Sequence, residues 1–235
     1  VSGRPGRADG AGTARGEDGA APRPAGAPAP RPEDAAVPRP ARAARPVPER
    51  VTRRLVLRAF TEADREPFAA LNADPEVTRH LQGPLSRERS DAFVDRIAAC
   101  WSERGYGLWA LERRDTGEFL GYTGLWPADF LPGGPGVEVG WRLARPAWGQ
   151  GYAPEAAREA LRFGFSEVGL AEIVSFTPAV NTASLRVMAK IGLVRDASRD
   201  FDHPRVDRAA YPDLVRHLVH ALDAPTWRAG ADDSG

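Results

Sequence analysis

Six consecutive residues, Trp148-Gly149-Gln150-Gly151-Tyr152-Ala153, have the composition to grip an anion with main chain alone. Glycines at alternate positions, followed by a small residue, let successive N–H groups turn inward with no Cβ in the way. A helix predicted over Tyr152–Glu167 adds its own free N–H groups and the positive end of its dipole. The arrangement suits a phosphate or pyrophosphate, although a lone G-x-G also serves as a plain turn. Ten residues upstream, Glu138 interrupts the apolar pattern Val137, Val139, Trp141 on what reads as a central strand. An unpaired carboxylate in such a place is costly. Glu138 is therefore either a reactive carboxylate or one satisfied by a neighbouring Arg or at a sheet edge. Further on, Asn181 combines a donor and an acceptor at the head of a helix, where it can contact a ligand or cap the helix.

These residues need elements to hold them. Arg53–Phe60 alternates as a strand, with Leu55, Leu57 and Ala59 on one face. Thr61 begins a helix, with Asp64 three residues on as a capping-box variant. That helix ends near Asn72–Pro75, and Pro67 is a candidate kink. A second helix runs from Ser86 to Glu103 and stops at Gly105. Leu108–Arg113 and Phe119–Trp126 form a hairpin around Asp115-Thr116-Gly117. After a loop rich in Pro and Gly come the strand Val137–Leu143 and the glycine turn. The following helix carries Ala153, Ala156, Ala157, Ala160, Leu161, Gly164 and Phe165 on one stripe. Ile173–Thr177 reads as a short strand. Asn181 or Thr182 caps another helix, with Gly192 as its left-handed stop and Leu193 packing back. Two more strands are expected near Leu193–Arg199 and Leu214–Ala221. The order indicates an α/β or α+β domain with a mixed sheet, too irregular in its alternation for a dinucleotide fold.

Composition bounds the rest. Residues 1–50 hold no Phe, Tyr, Trp, Leu or Ile and cannot offset ordering entropy, so they read as a disordered tail. They contain no apolar stretch of the secretory kind. Because the chain opens on Val1, a second reading puts this segment upstream of the native start. Nine Arg against six acids give the tail +3; the whole chain is formally neutral, which leaves −3 for residues 51–235. Neither value favours a nucleic-acid partner, which needs a concentrated basic face. Lys190 is the only Lys, which reads as compositional bias. The single Cys100 excludes an internal disulfide, fits a reducing compartment and reads as a packed thiol. No apolar run approaches a membrane span. The expectation is a cytoplasmic protein, monomer or homodimer, with its folded domain over 51–223 and a flexible tail over 224–235. His80, His217 and His220 show no ligand spacing, so no metal is expected, and the last two are placed as decoration on the final strand. Trp101, Trp109 and Trp126 read as core, although Trp126 lies near enough to the Pro/Gly loop to face a cleft.

Three blocks taken together resemble the GCN5-related N-acetyltransferase (GNAT) superfamily, particularly its Rim-type branch, which acetylates ribosomal-protein N-termini. They are Val137-Glu138-Val139-Gly140-Trp141-Arg142-Leu143, Trp148 through Ala156, and Asn181 through Leu193. The likeness covers about Thr52 to Leu222. It implies a mostly antiparallel sheet flanked by helices, with a V-shaped splay between strands 4 and 5 of the expected order. It also implies acetyl-CoA as acyl donor and a primary amine as acceptor, a protein N-terminus or a small molecule. Amides of Gly149, Gln150, Gly151, Tyr152 and Ala153 would hold the pyrophosphate. Backbone at Trp141, Arg142 and Leu143 would pair with the pantetheine arm and polarise the thioester carbonyl, and Asn181 would add a second contact. Trp148 stands where the broad family has Arg or Gln, which is the Rim-type pattern. Met188 occupies the place of the tyrosine that serves many members as general acid, and it cannot donate a proton. That departure keeps open a non-catalytic acyl-CoA-binding module on the same fold.

Acyl transfer needs a neutral amine. An α-amino group with pKa near 7.7–8.0 is roughly 10–20 % neutral at pH 7, a lysine side chain well under ~1 %. The base therefore has modest work, and Glu138 is the candidate. Ser184 aligns with a serine proposed to protonate the departing thiolate; its structural alternative is a local cap bond. Glu155 lies in the first turn of its helix and offsets the dipole. Asp200, Asp202 and His203 fall in the loop that borders the acceptor cleft in this family. The acids are placed to draw an amine and the histidine to relay a proton, or all three form a solvated loop.

Overall fold

Capping chemistry decides where most elements begin. In the computed structural model, which describes residues 46–232, a two-residue strand β1 (Arg50–Val51) leads to β2 (Leu55–Arg58). Leu55 and Leu57 lie fully buried on one face of β2. Thr61 and Asp64 form the reciprocal capping box, through one tight turn, ahead of α1 (Arg65–Ala73). Pro67 falls in the first turn of α1, where its missing N–H breaks no helical bond. A single-turn α2 (Pro75–Thr78) starts at Asp74, whose side chain accepts from the Glu76 N–H. Ser86 caps α3 (Arg87–Arg104), and Gly105 stops it in the left-handed region at φ 73°.

The hairpin β3 (Leu108–Arg113) and β4 (Phe119–Ala128) is followed by β5 (Gly136–Leu143). Then come α4 (Tyr152–Phe163), widening into a π turn over Gly164–Val168, β6 (Glu172–Pro178) and α5 (Thr182–Lys190). The chain closes with β7 (Val194–Arg195), β8 (Phe201–Asp202), β9 (Arg216–Asp223) and α6 (Ala224–Asp232). Among the described residues nine strands form one sheet in the order β1-β2-β3-β4-β5-β6-β9-β7, with β8 also on β9. Every pairing is antiparallel except β5 with β6. This is the mixed, mostly antiparallel sheet expected.

Both faces of the sheet are covered. Leu125, Val139 and Leu143 cluster with Ala156, Ala157, Ala160 and Leu161 of α4, whose small residues let the helix sit close. Full burial of one such leucine contributes about 1.5–3 kcal/mol. On the other face, rings of Phe68, Phe93, Tyr122 and Trp126 meet at 5.7–5.9 Å and bring α1 and α3 down onto the sheet. Tyr122 and Trp126 stand opposite Arg142 and Glu138 in register, so these two charges share that face. Trp126 is thus tied to Phe93 rather than free to serve a ligand.

Four expectations change. Of the strand expected over Leu193–Arg199, only Val194–Arg195 pairs, because the Asp196 side chain takes the Ser198 N–H and turns the chain away. The last strand begins at Arg216 rather than Leu214, since Pro212 opens a turn. Residues 224–232 are a helix and not a flexible tail: Ala224 is buried and Trp227 stacks on Phe165 at 5.3 Å. Of the expected tail, residues 1–45 lie outside the described region, but residues 46–50 are held. The Trp109 indole donates to the Pro48 carbonyl at 2.8 Å and Val47 packs on the core. His217 and His220 lie on the last strand, as expected, and are buried there.

Candidate active site

The site begins where two strands part. β4 and β5 pair along eight positions and β6 and β9 along seven, yet β5 and β6 meet only at Glu138 opposite Val174. Beyond that point the outer edge of β5 leaves β6, and a cleft of about 610 Å³ opens between them. Gly121 permits the geometry on the far side of β5: a Cβ there would lie 2.1 Å from the Arg142 carbonyl oxygen. The walls are Trp141, Arg142 and Leu143 of β5 and Ser175, Phe176 and Thr177 of β6. Relative to the expected numbering, the splay falls between β5 and β6 because the short β1 precedes the rest.

At the wide end of the cleft sits the glycine turn. Gly149 and Gly151 take φ 75° and 79°, in the left-handed region where only glycine is comfortable. Among the described residues no acceptor is recorded for the N–H groups of Gly149, Gln150, Gly151, Tyr152 and Ala153. Five N–H donors with no recorded acceptor thus stand at the head of a twelve-residue helix, a geometry that suits an anion. Trp148 fixes one side, its indole donating to the Leu143 carbonyl at 2.8 Å. Gln150 was expected to act through its backbone N–H, which has no recorded acceptor among the described residues. Its side-chain amide donates to the Pro146 carbonyl at 2.8 Å and does not line the cleft, so only its backbone N–H is available.

A latch not visible in the sequence holds this turn. Glu155 accepts from the Thr52 hydroxyl at 2.6 Å, the Arg54 N–H at 2.9 Å and the Arg54 Nε at 2.7 Å. Burial opposes ionisation of Glu155, but these bonds outweigh it and hold its carboxyl below the usual range. Arg54 also donates to the Gln150 carbonyl at 2.8 Å and lies 4.7 Å over the buried Tyr152 ring. Glu155 thus does more than offset a dipole. No local signal could reveal partners about a hundred residues away.

At the apex Glu138 lines the cleft with no hydrogen-bond partner recorded among the described residues. It is at neither a sheet edge nor an Arg. Burial alone pushes its carboxyl up to about 8. Tyr122, which the sequence reading passed over, also lines the cleft; burial raises its phenol, with weaker opposed effects from Arg142 and Glu138. Opposite, Asn181 caps α5: its Oδ1 accepts from the Ser184 N–H at 3.2 Å, and its Nδ2 donates to Thr177 Oγ1 and Ser184 Oγ, both at 3.0 Å. Both amide protons are therefore spent on the cap. Ser184 Oγ accepts from Asn181, which leaves its own proton to point elsewhere. Met188, 1 % exposed, fills the wall beside them.

The loop expected beside the acceptor stands apart. Asp200 pairs with Arg195, and Asp202 with Arg208 at 2.9 Å and Arg216 at 3.5 Å, so their charges are answered. His203 packs on Phe130 and His217, and burial pushes it down to about 4. None of the three lines the cleft. Its remaining wall is α2 and the residues after it, Glu76, Val77, Arg79, His80 and Leu81. Among the described residues no His, Cys, Asp or Glu group is arranged to hold a metal, and no helix is long and apolar enough to cross a membrane.

Comparison with known proteins agrees with this geometry. Residues 54–194 match the family model described as an acetyltransferase (GNAT) domain, and the chain belongs to that family. It is an N-acetyltransferase by the company it keeps. The chain is 36 % identical over 148 residues to YkkB of Bacillus subtilis, spanning 60 % of this chain and 83 % of that one. It is 35 % identical over 150 residues to the FsC-acetyl coenzyme A-N(2)-transacetylase of Aspergillus fumigatus, spanning 60 % and 63 %. An acetyltransferase structure from Agrobacterium tumefaciens superposes with a TM-score of 0.63 at 28 % identity, covering 75 % of this chain and 94 % of that one.

Proposed function

We propose that this chain transfers an acetyl group from acetyl-CoA to a primary amine by direct attack. The observation that carries the reading is the wedge with its cradle: β5 parts from β6 after a single pair, and five free N–H groups stand at its wide end. A CoA thioester has the matching parts. Its diphosphate suits the donors of Gly149 to Ala153, and its amide-bearing arm suits the unpaired edge of β5 at Trp141 to Leu143. The N(2)-transacetylase name of a relative supports nitrogen as the acceptor atom.

In this reading Glu138 receives a proton from the amine as nitrogen bonds to the thioester carbon. The tetrahedral intermediate then collapses, the C–S bond breaks, and the thiolate takes the Ser184 hydroxyl proton or leaves as the anion. Ser184 recovers its proton from solvent, and Glu138 gives the one it took from the amine back to solvent, which resets both groups. Asn181 acts by positioning Ser184 rather than by a donor contact of its own. The acceptor is a protein N-terminal α-amine or a small amine, which arrives partly neutral.

Thiol release from acetyl-CoA tests this, run with N-terminal Ala and Ser peptides, polyamines and aminoglycosides and confirmed by mass shift. The expected result is amine-dependent release with at least one class. Tight donor binding with no release from any of them would sink the proposal.

A further inference from the structure

Arg142 is a charge without an answering charge. It stands four residues after Glu138 on the same face of β5 and lines the same cleft, half-buried. Among the described residues it forms no ion pair. Its recorded partners are neutral: Nη1 donates to Asn72 Oδ1, and the guanidinium lies 5.4 Å from the Tyr122 ring centre. Nor does it serve Glu138, whose ionisation responds to burial alone.

The support beneath Arg142 is built rather than incidental. Asn72 is fully buried, and its Nδ2 donates to Ser90 Oγ at 2.9 Å, Ser90 being fully buried as well. That bond fixes the amide so that its oxygen faces Arg142. The chain therefore spends two buried polar residues from α1 and α3 on orienting one guanidinium into a cleft. A half-buried cation held only by neutral groups has its charge unanswered among the described residues, and a guanidinium matches a carboxylate best.

We propose that Arg142 binds a carboxylate on the acceptor, so that the preferred amine belongs to an acidic molecule such as a peptide with an acidic residue near its N-terminus. The inference rests on the acetyl-transfer reading and names its substrate class. Four strand residues separate the Cα atoms of Glu138 and Arg142 by about 13 Å. That span places the carboxylate one to three residues from the reacting amine.

The test uses tripeptide and tetrapeptide amides in which one Glu or Gln is walked from position two to position four behind N-terminal Ala. With the CoA-loaded protein, calorimetry reads binding; with acetyl-CoA, mass shift reads kcat and KM. At the best position the Glu peptide is expected to lead its Gln twin by about 10-fold or more in kcat/KM, mostly through KM. The lead should shrink between 50 and 500 mM NaCl, a measurement that needs no variant. Arg142→Gln should bring the ratio to about one, and Arg142→Lys should keep part of it, with acetyl-CoA affinity read alongside. Equal binding and turnover of both series at every position overturns the assignment and leaves acetyl transfer standing. A Glu preference in binding without turnover of any peptide does the reverse.

Discussion

Glu138 is held where ionisation is expensive, yet a base must ionise. Burial raises its carboxyl to about 8, so near neutral pH it is mostly protonated until an ammonium arrives to stabilise the anion. The unfolded chain releases this proton near the ordinary carboxylate value, the folded chain only near 8. Stability from this group is therefore lost as pH rises between those points. Glu138→Gln removes that slope, so its Tm should gain on the wild type by on the order of 5 °C between pH 5 and pH 9, read by calorimetry without ligand. A constant gap across that range would mean the side chain ionises freely. With an acceptor whose amine titrates below 7, the same variant should lose about 10²–10⁴ in kcat/KM and the rise towards pH 8. Near-normal turnover would remove Glu138 from the chemistry. Ser184→Ala is expected to cost less, about 10-fold, because a thiol with pKa near 8.5 can also depart as the anion.

The glycine turn is the element on which donor binding depends. Gly151→Ala puts a methyl group at φ 79°, 3.4 Å from Arg54 Nη2, in a conformation that costs about 1–2 kcal/mol. CoA affinity measured by calorimetry should fall about 10-fold while the fold persists; unchanged affinity would show that these amides do not grip the ligand. The turn and its helix were legible in the sequence, because alternate glycines supply the left-handed residues such a turn needs. What sets its orientation was not. Glu155 reaches Thr52 and Arg54 across 103 and 101 residues, and no periodicity encodes such a meeting. Gln150 was read for its main-chain amide alone; its side chain turns back to the Pro146 carbonyl and steadies the turn. Asn181 was open to two roles; it caps α5 with both amide protons engaged by Thr177 and Ser184, and it also lines the cleft.

At the scale of the molecule, strands and helices bordering the site were readable because alternation and caps are local. The ends were not. Composition marked residues 224–235 as tail, but one aromatic side chain makes a helix of the stretch by packing on Phe165. Trp227→Ala should lower stability by about 2 kcal/mol in urea unfolding, with kcat/KM little changed, since the stack is remote from the cleft. A loss under about 0.5 kcal/mol would show that the helix stays docked without it. Two roles were open for the loop of Asp200, Asp202 and His203; its side chains are absent from the cleft lining, and Asp202 is exposed, paired with Arg208 of the same loop and with Arg216 of β9.

The single rung joining β5 to β6 makes this sheet two panels with a seam. On the proposed donor placement, a CoA thioester in that seam would supply rungs the polypeptide lacks, and occupancy would tighten the whole body and not merely the pocket. At a hundredfold excess over its dissociation constant such a ligand adds about 2.7 kcal/mol to folding. The gain belongs to the diphosphate and the amide-bearing arm, so CoA with or without its acetyl group would brace the seam.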